Sequence, residues 1–299
     1  MSAGPSLLQR EDLLGQVARG FVERPVALVA LLVTVLILLA ALFAPVLAPH
    51  DPFDLATLEI WDNRAPPGHV GIDGRRYLLG TDGQGRDVLS AMLYGLRTSL
   101  SVGVLAGVIA ILLGTTLGLM AAYFGGWIDT LIMRVVDLML GFPTILVALI
   151  VLAILGTGVD KVIIALVLVQ WSYFARTVRG TALSERNREY IEAARCLGLS
   201  SGRIVFRHLL PNCLPPLIVI GTIQVANAIS IEATLSFLGL GVPVTEPSLG
   251  LLIANGFQYL MSGLYWISVF PGILLVVTIF TINIVGDRLR EVLNPRLQS

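Results

Sequence analysis

The twenty-five residues Pro25–Pro49 carry no charged side chain. A run of that kind limits the fold before any motif is considered. In a hydrocarbon core every backbone N–H and C=O has to be satisfied within the chain, which a helix of roughly 20 apolar residues achieves across roughly 30 Å. Comparable charge-poor intervals recur along the chain. They predict a second span within Ser99–Tyr123, a third at Leu138–Leu155, a fourth near Val162–Ala175 and a fifth at Leu214–Leu238. Pro247–Gly286 is also charge-free but too long for one helix. It divides into an outer interfacial piece near Leu249–Met261 and a sixth span near Ser268–Val285. With 56% apolar and 13% charged residues and a mean hydropathy of +0.84, a water-soluble domain is excluded. The expected fold is all-α and polytopic, with six transmembrane helices. The first apolar run exceeds the roughly 7–15-residue core of a secretory signal and reads as a retained anchor.

Six spans put both termini on one side, and basic residues say which. Arg10, Arg19 and Arg24 precede span 1. Arg176, Arg179, Arg186, Arg188, Arg195, Arg203 and Arg207 lie between spans 4 and 5, and Arg288, Arg290 and Arg296 close the chain. By the positive-inside rule these are cytoplasmic. The opposite loops hold Lys161, Glu246 and a long segment with five Arg against seven acids. That segment is rich in Pro, Gly and Asp and is expected to be ordered but mostly irregular. The resulting division is residues 1–48 (tail and first span), 49–97 (extracytoplasmic loop), 98–285 (core of five spans with a coupling loop at 184–212) and 286–299 (cytoplasmic tail).

Within the spans, Gly103, Gly107, Gly114 and Gly118 permit close helix packing. Arg134 and Asp137 are spaced to pair locally, and Arg176 and Arg179 are placed to snorkel and lengthen the short fourth span. Cys196 and Cys213 flank a reducing compartment, so no disulfide is expected. His50, His69 and His208 have no metal-ligand spacing. No nucleophile–base arrangement of a hydrolase appears, and Gly80–Asp87 lacks the GK[ST] ending of a phosphate loop. No catalytic residue, metal, cofactor or nucleic-acid partner is expected for this chain.

The stretch Arg176–Asn212 is patterned as short helices. Glu189–Leu197 is helix-compatible, Gly198 offers a stop, Ser200 or Ser201 offers a cap and Pro211 a close. Ala193 and Ala194 beside exposed charges suit insertion into a partner's groove. The plainer reading of the Arg alone is topology and contact with membrane lipid.

Glu192-Ala193-Ala194, Gly198 and Leu210-Pro211 resemble the EAA motif of bacterial ABC importer permeases, with His208 where that motif usually has an apolar residue. Leu79–Asp87 followed by Tyr94-Gly95 and Arg97–Leu100, then Glu232 with Leu235–Gly241, and Gly286–Arg290 with Asn294-Pro295-Arg296, resemble the dipeptide/oligopeptide/nickel permeases. The N-terminal anchor is similar to that of the second, C-type subunit of the pair. The resemblance implies a type I importer permease fold and docking on an ATPase through Glu189, Glu192, Ala193, Ala194, Arg195, Gly198 and Arg203. It also implies a paired permease, two ATPase subunits that hold ATP and Mg, and an extracytoplasmic binding protein that selects di- or oligopeptides, with nickel chelates, glutathione or an oligosaccharide as alternatives.

Glu232 is the one acid well inside a span, where it costs about 2.5–3.5 kcal/mol on insertion scales. It marks either a water-lined path or a buried group satisfied by Asn227 and Ser230. Gln224, Asn227 and Ser230 at helical spacing suit a weakly binding path. Asp82, Arg86 and Asp87 bind either a cation or one another. Two other classes remain at this level: an ion-coupled carrier, which should work without a second chain, and a membrane scaffold, which should purify without ATPases.

Overall fold

The computed structural model describes residues 15, 19–52, 60–72, 74–243 and 245–293. Arg10 and Asn294-Pro295-Arg296 lie outside them. The helix of the first span, α1 (Pro25–Leu42), starts with Pro25 at a position whose N–H would be unpaired in any case. The short α2 (Ala44–Leu47) follows it. Only Ala27, Ala30, Ile37 and Ala41 of α1 are buried, and α1 packs on the final helix and on α3.

Between α2 and α3 the chain forms a small antiparallel hairpin, β1 (His69–Val70) with β2 (Arg76–Tyr77). Thr81 and Asp87 are bridged across the turn that enters α3. This turn is the Asp82–Asp87 segment of the sequence, in which Asp82 and Arg86 bind each other while Asp87 bonds Ser90 instead. Arg86 Nε donates to Asp82 Oδ2 at 2.8 Å, and Asp82 Oδ1 accepts the backbone N–H groups of Gln84 and Arg86. Asp87 caps α3 through Ser90 N at 2.8 Å. Arg86 and Asp82 are both 2% exposed, a buried pair in which each charge is the other's partner. Trp266 Nε1 donates to Thr81 O at 3.2 Å, which fixes this turn to the start of the last helix.

The cap at Asp87 lets α3 (Val88–Phe124) begin well before the expected second span. The third span departs more sharply. Leu138–Leu155 is not one helix: α4 (Gly126–Gly141) and α5 (Thr144–Leu155) meet at 94°. Pro143 disfavours helix at the residue before it, and Phe142 is extended with φ −97° and ψ 143°. At 1.5 Å per residue α5 alone is about 18 Å long, too short to cross. Among the described residues, five long helices and this broken pair give up to six crossings. Next, α6 (Val159–Arg186) runs through the predicted fourth span and past it. Two short helices, α7 (Glu189–Cys196) and α8 (Ser201–Ile204), lead by a π turn at Val205–Leu209 into α9 (Leu210–Phe237).

The expected interfacial piece is α10 (Leu249–Phe257). It is inserted among α3, α9 and α11 with Leu249, Leu251 and Leu252 buried, rather than laid on the surface. Finally α11 (Trp266–Leu293) returns to the chain's beginning. Arg288 Nε donates to Gly20 O at 2.9 Å, so the residues flanking the first and last spans meet at one end.

The core is built on α3. Its most extensive contact is with α6, and there the glycine stripe acts as the spacing predicts. A Cβ on Gly114 would stand 2.4 Å from Trp171 O, and one on Gly118 2.6 Å from Ala175 O. Gly103 and Gly107 face Ile229 and Val225 of α9. Without these glycines the backbones cannot approach so closely. Gly114→Ala is therefore expected to cost at least about 1–3 kcal/mol by overpacking. Gly221→Ala, whose new Cβ would meet only Ile111 at 3.8 Å, should be near neutral. Thermal unfolding of the two variants in detergent checks the contrast.

Candidate functional site

The loop after α6 is a folded, anchored unit. In α7, Ile191 and Ala194 are buried against Val178, Ala182, Ile204 and Leu209. Glu189, Glu192, Ala193 and Arg195 face outward, as do Gly198 and Arg203. The two alanines expected to act together therefore point in different directions: Ala194 packs inward, and only Ala193 is presented. At the end of α7, Gly198 adopts φ +70°. Its N–H bonds Arg195 O at 2.9 Å, and Leu199 N–H bonds Ala194 O at 3.2 Å. These are the two hydrogen bonds of a Schellman stop, which a glycine makes without a Cβ penalty.

Ser200 occupies the cap position of α8, without a side-chain cap bond. Pro211 does not close the second helix as expected. It sits in the first turn of α9, and the helix from Ser201 to Phe237 runs on as one candidate span. The π turn at Val205–Leu209 accommodates a proline that lacks an N–H and crowds the preceding turn.

Tyr190 ties this unit to both neighbouring helices. Its hydroxyl donates to Glu185 Oε2 at 2.8 Å and accepts from Asn212 Nδ2 at 3.1 Å. Burial, with the Glu185 carboxylate beside it, pushes the Tyr190 phenol up to about 12. His208 stands across from the Tyr190 ring. Leu197 is 79% and Phe206 68% exposed, so the outward face mixes charges with two large apolar side chains.

A second feature lies within the spans. A cavity of about 280 Å³ is lined by Thr144, Gln170, Tyr173, Gln224, Asn227, Ser230 and Ile231. Three of the four expected path residues share it. Glu232 does not. It follows Asn227 by five residues, roughly 140° round the helix, and is fully buried. Nor do Asn227 and Ser230 satisfy it. Ser99 Oγ donates to Glu232 Oε2 and Ser236 Oγ to Oε1, each at 2.7 Å. Both hydroxyls accept backbone N–H groups in turn, Ser99 from Leu249 at 3.4 Å and Ser236 from Val242 at 3.2 Å. Each serine thus relays an amide dipole to the carboxyl, joining α3, α9 and the start of α10. Sequence reading missed Gln170, whose only signal was a polar side chain inside a span, and gave no role to Ser99 although it lies in the Arg97–Leu100 motif.

The arginines just past the predicted fourth span, Arg176 and Arg179 within α6, are also paired rather than snorkelling. Arg179 holds Asp129 with two bonds at 2.5 and 2.6 Å, and Arg176 bonds Asp137. The expected Arg134–Asp137 pair is replaced by these links from α4 to α6, which bring a planar guanidinium to a carboxylate.

Helices crossing a membrane, a folded loop at one end and a polar cavity between spans define a multi-pass membrane transport subunit. Residues 114–299 match the family described as binding-protein-dependent transport system inner membrane component. Residues 13–67 match the N-terminal transmembrane domain of oligopeptide transport permease C. The chain is 38% identical over 277 residues to a dipeptide transport system permease protein, DppC, of Alkalihalophilus pseudofirmus, covering 93% of this chain and 88% of that protein. It is 37% identical to the di/tripeptide transport system permease protein of Pseudomonas aeruginosa, covering 100% and 97%. It is 35% identical to the glutathione transport system permease protein of Pectobacterium atrosepticum, covering 94% and 90%. An inward-facing structure of the MetNI methionine ABC transporter shares the fold at a TM-score of 0.56 and 22% identity, over 69% of this chain and 97% of that one. The chain belongs to the binding-protein-dependent inner-membrane transport components: it is a bacterial inner-membrane permease subunit of an ABC importer, not its ATPase.

Two outcomes are expected from this geometry. Glu232→Leu strands two serine hydroxyls and should cost several kcal/mol, whereas Glu232→Gln keeps an acceptor and should cost much less. Detergent melting curves compare them. A raised Tyr190 pKa favours the protonated form in the fold. Its contribution is complete below pH 10, the ordinary value, and is lost as pH rises from 10 to about 12. Tyr190→Phe should flatten the alkaline fall in melting temperature over that window.

Proposed function

We propose that this subunit pairs with a second, homologous permease to form a path for di- or oligopeptides, and that two separate ATPase subunits drive it from the cytoplasm. The α7 end, both termini and the Arg-rich segment face the cytoplasm in this reading, and the β1–β2 hairpin faces an extracytoplasmic binding protein. ATP and Mg are held by the partners. The observation that carries the proposal is α7 itself. It is a short helix seated rigidly by Ile191, Ala194 and Tyr190, yet it turns Glu189, Glu192, Ala193, Arg195, Gly198 and Arg203 outward.

Closure of the ATPases would move α7, and with it α9 through the continuous π turn. A rigid element of that sort passes a displacement on instead of absorbing it. On the membrane side, Gln224, Asn227 and Ser230 give α9 an uncharged polar lining that suits a solute which must be released. The names of the relatives support peptides as the solute. Glu232 is proposed as a structural tie and not as part of the path, because both its oxygens are already bonded.

The test is reconstitution with the neighbouring permease, ATPases and binding protein. Gly198→Pro removes the N–H to Arg195 O and forbids the φ of +70°. Glu192→Arg reverses the presented charge. Both variants should insert normally and lose peptide-stimulated ATP hydrolysis. Full stimulation in either would refute α7 as the docking element.

A further inference from the structure

Helix α4 has two apolar faces, and among the described residues only one of them is covered. It packs on α3 and α6, with Val136 buried and Ile132, Met133 and Leu140 set against the same core. On the far side Trp127, Leu131, Val135, Leu138 and Phe142 are each between 43% and 74% exposed. Their spacing of four, four, three and four residues keeps them on one stripe at 3.6 residues per turn. From Trp127 to Phe142 the stripe runs about 22 Å at 1.5 Å per residue. The same alternation of three and four lets a second helix lie along it, ridge into groove, at a shallow angle.

Two observations say what covers the stripe. The first is charge. An amphipathic helix lying on a membrane surface is held by several Lys or Arg against anionic lipid. Arg134 is the only basic residue of α4, against Asp129 and Asp137, and both acids are already held by Arg179 and Arg176 of α6. A membrane surface is a poor match for that balance. The second is position. Gly141, Phe142 and Pro143 are all exposed, and the next residue, Thr144, lines the polar cavity. The stripe thus runs without a break into the rim of the space proposed as the path. At its other end α4 follows directly from the foot of α3, where Arg186 Nη1 donates to Ala122 O at 2.7 Å, just before α7 begins. A path shared by two permeases opens toward the second one, so the element at its rim on the α7 side meets that subunit.

We propose that the Trp127–Phe142 stripe is a contact surface for the paired permease, along which a helix of that subunit lies, flanking the path on the side nearest α7. The Arg176–Asp137 and Arg179–Asp129 links give this contact a firm base, since they tie α4 to the part of α6 that leads to α7. A displacement of α7 then reaches the boundary between the permeases as well as α9. This rests on the paired-permease reading above and adds the surface by which the pair is joined.

The experiment uses the complete complex in native membranes, with the photoreactive residue p-benzoylphenylalanine placed at Leu131 or at Leu138 and the adducts identified by mass spectrometry. Both positions should form a covalent adduct with the paired permease. Leu138→Arg, a change at an exposed position, should insert normally and lower the amount of paired permease recovered with the tagged chain by at least about 10-fold. Leu138→Met should keep the recovery of the unaltered chain. Adducts at either position with lipid alone, with an ATPase subunit alone or with nothing, from a complex that still holds its paired permease, overturn the proposal. Unchanged recovery in Leu138→Arg overturns it as well. An unaltered chain that brings down no second permease overturns the pair reading itself, a result distinct from the others.

Discussion

The buried Glu232 carboxyl sets the arrangement on which the other helices depend. Inside a membrane protein an acid needs water, a charged partner or hydrogen bonds, and here the bonds come from elements far apart in the chain. Ser99 belongs to α3 and Ser236 to α9, and their hydroxyls take in the amides of Leu249 and Val242. The start of α10 and the turn after α9 are thereby fixed as well. Gly250 completes the contact, because a Cβ there would stand 2.2 Å from Ala233 O. The Gly241 carbonyl beside this turn accepts the N–H of Gly158 at 3.2 Å, which brings in the entrance to α6.

With one side of α9 committed to this tie, its other side is free to be a surface of a different kind. Gln224, Asn227 and Ser230 recur at three-residue spacing and face the cavity with Gln170 and Tyr173 of α6. A single helix therefore lies between the hydrogen-bonded Glu232 tie and the polar cavity. The same helix is continuous at its beginning with α8 and the π turn, so whatever displaces α7 acts on the element that lines the cavity. The guanidinium–carboxylate links from α6 to Asp129 and Asp137 hold α4 to the same body.

Several departures from the linear reading share one origin, the way prolines act in context. Pro143 breaks the third span because the residue before it must be extended. Pro211 lies in the opening turn of α9, directly after the π turn, and Pro215 and Pro216 lie inside the same helix without ending it. Pro271 lies buried inside α11 without ending it. The residue type is the same in each case, and the surroundings decide whether it interrupts a helix.

The sequence by itself determined that the chain spans a membrane as helices and that α7 ends at Gly198, and it placed the fifth span closely, whereas α3, α6 and α11 run about two to three turns beyond their charge-poor intervals and the third span is broken. These properties are local: a charge-free interval, a glycine stripe and a stop signal act within a few residues of where they are written. It also marked Gln224, Asn227, Ser230 and Glu232 as out of place in a lipid-facing helix. Which of them face a cavity and which is a tie was decided only by the tertiary structure. Ser99 and Glu232 are 133 residues apart, and Gln170 and Gln224 are 54 apart. A buried polar group needs a partner, but no local pattern says which distant residue provides it. Asp137 found Arg176 and not its neighbour Arg134 for the same reason: the packing of α4 on α6 brings the distant guanidinium within reach.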